Sequence, residues 1–148
     1  MPVIIAGGSG CLGLATYQNL KEKYHDVWII DLKKPKGVKL NNFLKCDVLN
    51  EHELYNALHK SVPKNCDFLY LVNFVGKIHN KPFYSVMRDE KYLTKKEFDL
   101  IMEINLGSAF LISRQYLKIC NEFGLKGNLI HISSISALGS AGQIAYST

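Results

Sequence analysis

IIAGGSGCLG, residues 4–13, is the stretch from which the rest of the chain can be read. An apolar run over residues 3–6 opens into glycine at 7, 8, 10 and 13, and a helical pattern with Tyr17, Leu20 and Tyr24 on one face follows. An uninterrupted β-branched run is the signature of a strand buried on both faces, as in a parallel sheet. A strand, a glycine turn and a helix start, in that order, is the setting in which a Gly-rich stretch can hold phosphate. Gly7 permits the tight turn, Gly10 lets the backbone approach a pyrophosphate, and Gly13 lets the helix pack closely on the strand. The phosphates would rest on the free N–H groups and the positive dipole end of that helix. The other reading is a tight strand-to-helix turn with no ligand, and the remainder of the chain separates the two.

The chain has 148 residues, enough for one domain with a real core. It is 47% hydrophobic and 21% charged, an ordinary globular composition. The net charge is +5, but the 18 Lys and Arg are dispersed, with short clusters only at Lys33-Lys34-Pro35-Lys36 and Lys95-Lys96. That pattern reads as a solvated surface and argues against nucleic-acid binding. Cys11, Cys46, Cys66 and Cys120 show no CxxC spacing and no metal-ligand spacing with histidine. They fit reduced thiols in a cytoplasmic protein, and no metal is expected. The apolar start is short, lacks a basic flank and runs directly into the glycine turn, unlike a signal peptide. No apolar run approaches the ~20 residues that span a bilayer, so no membrane association is expected.

Taken in order, residues 2–6 form the first strand and roughly 11–24 the first helix. Residues 27–31 (VWIID) form a second strand ending at Asp31. An acid at that tip, about 20 residues past the glycines, can accept both ribose hydroxyls of an adenosine. It repels a 2′-phosphate and so favours NAD, while Lys33 and Lys34 nearby leave NADP open. Residues 43–46 make a third strand, followed by Asp47 and Val48. Asp47 could meet an adenine amino group or cap the helix beginning near Asn50, with Glu53 in its first turn. Residues 68–73 (FLYLVN) read as an interior strand that ends in Asn73-Phe74-Val75-Gly76. The Asn73 amide can tie neighbouring strands together, and Gly76 allows a bend. A long polar loop over 77–94, with Pro82, Phe83, Tyr84 and Met87, would lie over the carboxyl ends of the strands. Thr94 and Glu97 form a capping-box pattern for a helix running to about Phe123 and closing at Gly124. Its buried stripe is expected to be Phe98, Ile101, Met102, Ala109, Ile112 and Tyr116, with Asn105 among them. A buried amide must be hydrogen-bonded, which makes Asn105 either a satisfied core residue or a holder of water in a proton relay. Residues 127–132 form the fifth strand, leading into Ser133-Ser134, a small-residue loop and finally residues 143–148 (QIAYST). These elements predict an α/β fold: a doubly wound parallel sheet of order 3-2-1-4-5, covered by helices on both faces.

With these marks together the chain resembles the short-chain dehydrogenase/reductase family over nearly its whole length. The marks are GGSGCLG at 7–13, Asp31, Asp47 after the third strand, and NFVG at 73–76 where the family commonly has NNAG. INLGSAF around Asn105, HISS at 131–134 and GQIAYS at 142–147 complete them. The resemblance implies hydride transfer between a nicotinamide and a carbonyl or alcohol, with NAD or NADP as cofactor. It makes Tyr146 the general acid/base, Ser134 the partner of the substrate oxygen and Asn105 the holder of the relay water. It places the cofactor against Gly7, Ser9, Gly10, Cys11, Leu12, Gly13, Asp31, Asp47, Val48, Asn73, Val75 and Gly76. A homo-oligomer acting on a small carbonyl or alcohol is implied as well.

Three departures qualify this. Cys11 stands where many compact members have glycine, and the Gly7, Gly10, Gly13 spacing is closer to the sugar-nucleotide-modifying branch. Counting back from Tyr146 without a gap gives Ser133 in place of Ser134; the end of the strand favours Ser134. The family's lysine, four residues after the tyrosine, falls two positions beyond Thr148. The 148 residues are therefore expected to be a single dinucleotide-binding domain, incomplete at its C-terminus, with little catalytic power of its own. The competing readings are a sugar-nucleotide epimerase or dehydratase and a non-catalytic dinucleotide-binding module. The module would need the glycine turn and Asp31 but not Asn105, the serine and Tyr146 together.

Overall fold

The computed structural model describes residues 1–82 and 92–148. Five strands, β1 (Val3–Ala6), β2 (Val27–Asp31), β3 (Phe43–Lys45), β4 (Phe68–Asn73) and β5 (Lys126–His131), form one parallel sheet. Its order is β3-β2-β1-β4-β5, the order the sequence predicts. Every residue of β1 is buried, because β2 and β4 flank it and helices cover both faces. Its side chains alternate between two cores, as the period of a strand requires. Ile4 and Ala6 face Leu54 and Leu58 of α2 (Glu51–Ser61) and Ile112, Tyr116 and Ile119 of α4 (Ser108–Phe123). Val3 and Ile5 face Tyr17 of α1 (Cys11–Leu20) together with Val27 and Ile29. The order of the strands reverses between β1 and β4, and a ligand crevice of such a sheet opens at that point, beyond the carboxyl ends. Ala6, Ile30, Asn73 and His131 line up there across four strands.

The structure moves several boundaries. Helix α1 ends at Leu20, four residues short of the expected position; the N–H groups of Lys23 and Tyr24 both turn back onto the Leu20 carbonyl. The cap of α2 is Asn50, whose side chain accepts from the N–H groups of His52 and Glu53. Asp47 does not cap it. Its carboxylate accepts from Leu49 N–H at 3.0 Å and closes a turn before the helix. The Thr94–Glu97 capping box forms as expected at the start of α3 (Lys95–Met102). The expected continuous helix is instead α3, a π-helical turn (Glu103–Gly107) and α4. That wide turn inserts one residue and changes which face is covered. Ser108, Gln115 and Ile119 join Ile101, Ile112 and Tyr116 in the interior, whereas Phe98, Met102, Asn105 and Ala109 are half-buried. Gly124, at φ 65°, ends α4 in the left-handed conformation that favours glycine.

Strand β5 is at the sheet edge and only Leu129 within it is partly covered. A Cβ on Gly127 would lie 2.0 Å from the Tyr116 hydroxyl and 2.2 Å from the Leu69 carbonyl oxygen. That vacancy lets Tyr116 reach past β5 and donate to Leu69 at 2.7 Å. After β5 come a 3-10 turn (Ile135–Leu138) and a single helical turn, α5 (Ile144–Ser147). Of the expected long loop, Phe83, Tyr84 and Met87 fall outside the described residues. Among the described residues no helix is long and apolar enough to cross a membrane.

Candidate active site

The crevice at the reversal point is a cleft of about 620 Å³. One wall is the glycine turn, with Gly7, Gly10, Cys11, Leu12 and Gly13. The floor is the chain leaving β4, Asn73 to Gly76, and the far wall carries Asn105, His131, Ser133, Ser134 and Tyr146. Each glycine has the use its position suggests. Gly7 sits at φ 72°, and a Cβ there would meet Val75 N at 2.8 Å. A Cβ on Gly13 would strike the Gly7 carbonyl oxygen at 2.6 Å, which is the helix packing onto the turn. Gly10 is different: its nearest neighbour would be 3.5 Å away, so its missing side chain leaves open cleft. Gly10 is also the N-cap of α1 and has no side chain to accept from the first-turn N–H groups. An uncapped helix start facing an open cradle is a fit site for a pyrophosphate.

Asp31 lies outside the cleft lining and holds the turn in place. One carboxylate oxygen accepts from Ser9 N–H at 2.9 Å and the other from Lys33 N–H at 3.2 Å. A carboxylate has about four acceptor positions, so two remain for ribose hydroxyls. Asp47 and Val48 are also outside the lining, and the Val48 side chain is buried in the core.

The far wall is fixed by partners that the sequence does not reveal. The Asn105 amide accepts from Lys77 N–H at 2.7 Å and donates to the Lys77 carbonyl at 3.1 Å. Three residues on, Asn80 accepts from Gln143 Nε2 at 2.8 Å, and Gln143 Oε1 accepts from Ser136 Oγ at 3.2 Å. The Gln143 backbone carbonyl accepts from Tyr146 N–H at 2.9 Å. Ser134 Oγ accepts from Ser136 N–H at 3.2 Å. Asn105, Ser134 and Tyr146 are thus registered to one another through residues 77–80, Ser136 and Gln143. Glu97 secures the same segment: it binds Lys81, lies 3.7 Å from His79 Nε2 and closes the Thr94 cap. The bond from Lys81, then those from the backbone and side chain of Thr94, hold its carboxyl down at about 2. Asn73 ties β4 to β5 as expected, through His131. His131 and Gln143 were missed as site residues. The one available signal was that a histidine closes β5 opposite the asparagine that closes β4.

A doubly wound parallel sheet with a glycine turn opening at its switch point defines the class of dinucleotide-binding folds. The family model described as short chain dehydrogenase matches residues 2–148. The chain belongs to the short-chain dehydrogenase family. It is 27% identical to short-chain dehydrogenase reductase 3b of Arabidopsis thaliana, over 91% of this chain and 53% of that protein. It is also 27% identical to human 3-hydroxyacyl-CoA dehydrogenase type-2, over 97% of this chain and 60% of that one. Among solved structures, a short chain dehydrogenase from Leptospira borgpetersenii with bound NAD+ matches with TM-score 0.77 at 24% identity. That match covers 98% of this chain and 58% of the other. A 4-hydroxyisoleucine dehydrogenase complexed with NADH and succinate matches with TM-score 0.76 at 23% identity, covering 97% and 64%. These likenesses establish the fold. The chain spans between half and two thirds of the length of these relatives.

Proposed function

We propose that the 148 residues are one dinucleotide-binding domain of an NAD-dependent oxidoreductase, carrying the cofactor cradle and most of the catalytic groups. The observation that carries this reading is the shared cleft: an uncapped, glycine-lined helix start faces Asn105, Ser134 and Tyr146 across it. When bound, the nicotinamide supplies or accepts the hydride. Gly7, Ser9, Gly10, Cys11, Leu12 and Gly13 hold the pyrophosphate, Asp31 the adenosine ribose, Asp47 and Val48 the adenine, and Asn73, Val75 and Gly76 the cleft floor. Tyr146 gives its phenolic proton to the carbonyl oxygen. An unassisted phenol titrates near ~10, so proton transfer at neutral pH needs a neighbouring positive charge. Ser134 Oγ already accepts from Ser136, which leaves its own O–H to donate to the substrate oxygen; this supports Ser134 over Ser133. The Asn105 amide is committed to Lys77, and its oxygen keeps one lone pair for a water.

The substrate class is a small carbonyl or alcohol. NAD is the cofactor, with NADP admitted through Lys33 and Lys34. The Gly7, Gly10, Gly13 spacing supports one second reading, a sugar-nucleotide epimerase or dehydratase that regenerates its cofactor in place. Leu106, Phe110 and Leu117, exposed along one side of the helix, support a homo-oligomer. Four free thiols suit a cytoplasmic setting. The test is a titration with NADH, with NADPH in parallel. Micromolar binding of NADH, weakened at least tenfold by Gly10→Val with the fold intact, supports the cradle. A folded chain that binds neither nucleotide refutes it. Net oxidation of NADH by a simple ketone, lost in Tyr146→Phe with NADH affinity unchanged, supports the hydride-transfer role over the epimerase.

A further inference from the structure

We propose that His131, with its single proton on Nε2, is a positioning residue for the floor of the cleft, and that protonating it releases that floor and weakens dinucleotide binding. The ligand half of this statement rests on the dinucleotide reading above; the histidine half rests on hydrogen-bond chemistry alone. The Val75 N–H can only donate, so the Asn73 atom 2.9 Å from it is Oδ1. The other end of that amide, Nδ2, can only donate, and it faces His131 Nδ1 at 3.0 Å. Nδ1 must therefore be bare. The proton of the neutral ring sits on Nε2, 2.9 Å from Ser113 Oγ. Ser113 gives its own hydrogen to the Ala109 carbonyl at 2.7 Å, so its oxygen is free to accept. One tautomer satisfies every group from Val75 in the cleft floor to Ala109 on α4, and the other sets two donors face to face at Asn73.

A proton added to Nδ1 sets two donors against each other at that 3.0 Å contact. Asn73 must turn its amide over or move away, and in either case Val75 N–H loses its acceptor. Val75 is the residue on which the glycine turn rests: a Cβ on Gly7 would lie 2.8 Å from Val75 N and 2.9 Å from the Phe74 carbonyl carbon. Loosening this floor therefore loosens the cradle. The groups facing the ring are neutral, Asn73 from β4 and Ser113 from α4. Arg114, beside Ser113, is paired with Glu51, and the titratable groups lining the same cleft are Cys11 and Tyr146. Although β5 is largely exposed, partial desolvation of the ring holds His131 below the ordinary histidine range, which favours its neutral form.

The experiment is nitrogen NMR of the histidine rings, together with the Val75 amide signal and calorimetric NAD+ titrations at about pH 7.5 and about pH 5.5. His131→Asn is the control, since its Oδ1 can replace Nδ1 as acceptor but cannot titrate. In the wild type, His131 should show a bare Nδ1, the Val75 amide should shift with acid, and the NAD+ dissociation constant should rise about five- to tenfold, the scale of one lost hydrogen bond. In His131→Asn both pH responses should vanish, whatever its affinity at neutral pH. A proton on Nδ1, or a Val75 response that persists in His131→Asn, overturns the proposal. NAD+ binding that is tight but independent of pH also overturns it and leaves the dinucleotide reading standing. Absence of NAD+ binding at either pH refutes the dinucleotide reading instead, and the Val75 signal then decides the histidine latch by itself.

Discussion

Strands β1 and β5 run in the same direction in one sheet, yet they live in different environments. All of β1 is buried between two strands and two layers of helix, whereas β5 is paired on one side and mostly exposed. The glycine turn follows β1 and Ser133 and Ser134 follow β5, while Asn105 and Tyr146 reach the same wall from the π-helical turn and α5. In the proposed reading, the binding half of the cleft is thus anchored on an interior strand and the serine of the reacting half on an edge strand. Affinity and reactivity should then fail under different stresses.

The strongest way to break this contrast is substitution. Ile4→Ala empties a fully buried position and should cost about 2–5 kcal/mol in denaturant unfolding. Ile130→Ala, on an exposed side chain of β5, should stay within about 0.5 kcal/mol. Equal costs would mean that β5 is covered in solution. Hydrogen exchange sharpens the same point without mutation. Amides of β1 should exchange only through global unfolding, and those of β5 through local opening, faster by about two orders of magnitude or more.

A third expectation concerns acid. Glu97 has its folded pKa held at about 2, below its ordinary value of 4.5. Its contribution is complete above the ordinary value and is lost as pH falls through about 2. Exchange of the α3 amides should rise across that window and be insensitive to it in Glu97→Gln, while β1 stays protected. The smallest effect is chemical. Cys11 is exposed in the cleft, whereas Cys46 is buried and its thiol is pushed up to about 12, first by burial and then by Glu53 and Asp47. Iodoacetamide should label Cys11 and spare Cys46, and bound NADH should slow the labelling of Cys11 several-fold.

How much of this could be read in advance follows the same division. Sheet order, strand positions, the tight turn at Gly7 and the close helix packing at Gly13 were legible, because buried runs and tight turns are written in neighbouring residues. The π-helical turn was not, since a hydrophobic stripe tolerates one extra residue and the periodicity around Asn105 looked continuous. The sequence left Asp47 open between an adenine contact and the cap of α2; the structure gives the cap to Asn50, three residues on. Asn105, Ser134 and Tyr146 were legible through family resemblance, and they do line one cleft. Their supports were not. Lys77 lies 28 residues from Asn105, Asn80 lies 63 from Gln143, and Asn73 lies 58 from His131. Such pairs have no local period, and only the folded sheet brings them together.

The bonds from Ser9 and Lys33 onto Asp31 bear on any effort to redesign cofactor preference. Removing the carboxylate is the obvious way to admit a 2′-phosphate, but the same change leaves two backbone donors without an acceptor and unpins the glycine turn. In the proposed reading, selectivity and scaffold rest on one side chain. A redesign toward NADP should keep a short acceptor such as serine or asparagine at position 31 and recruit Lys33 or Lys34 for the added charge.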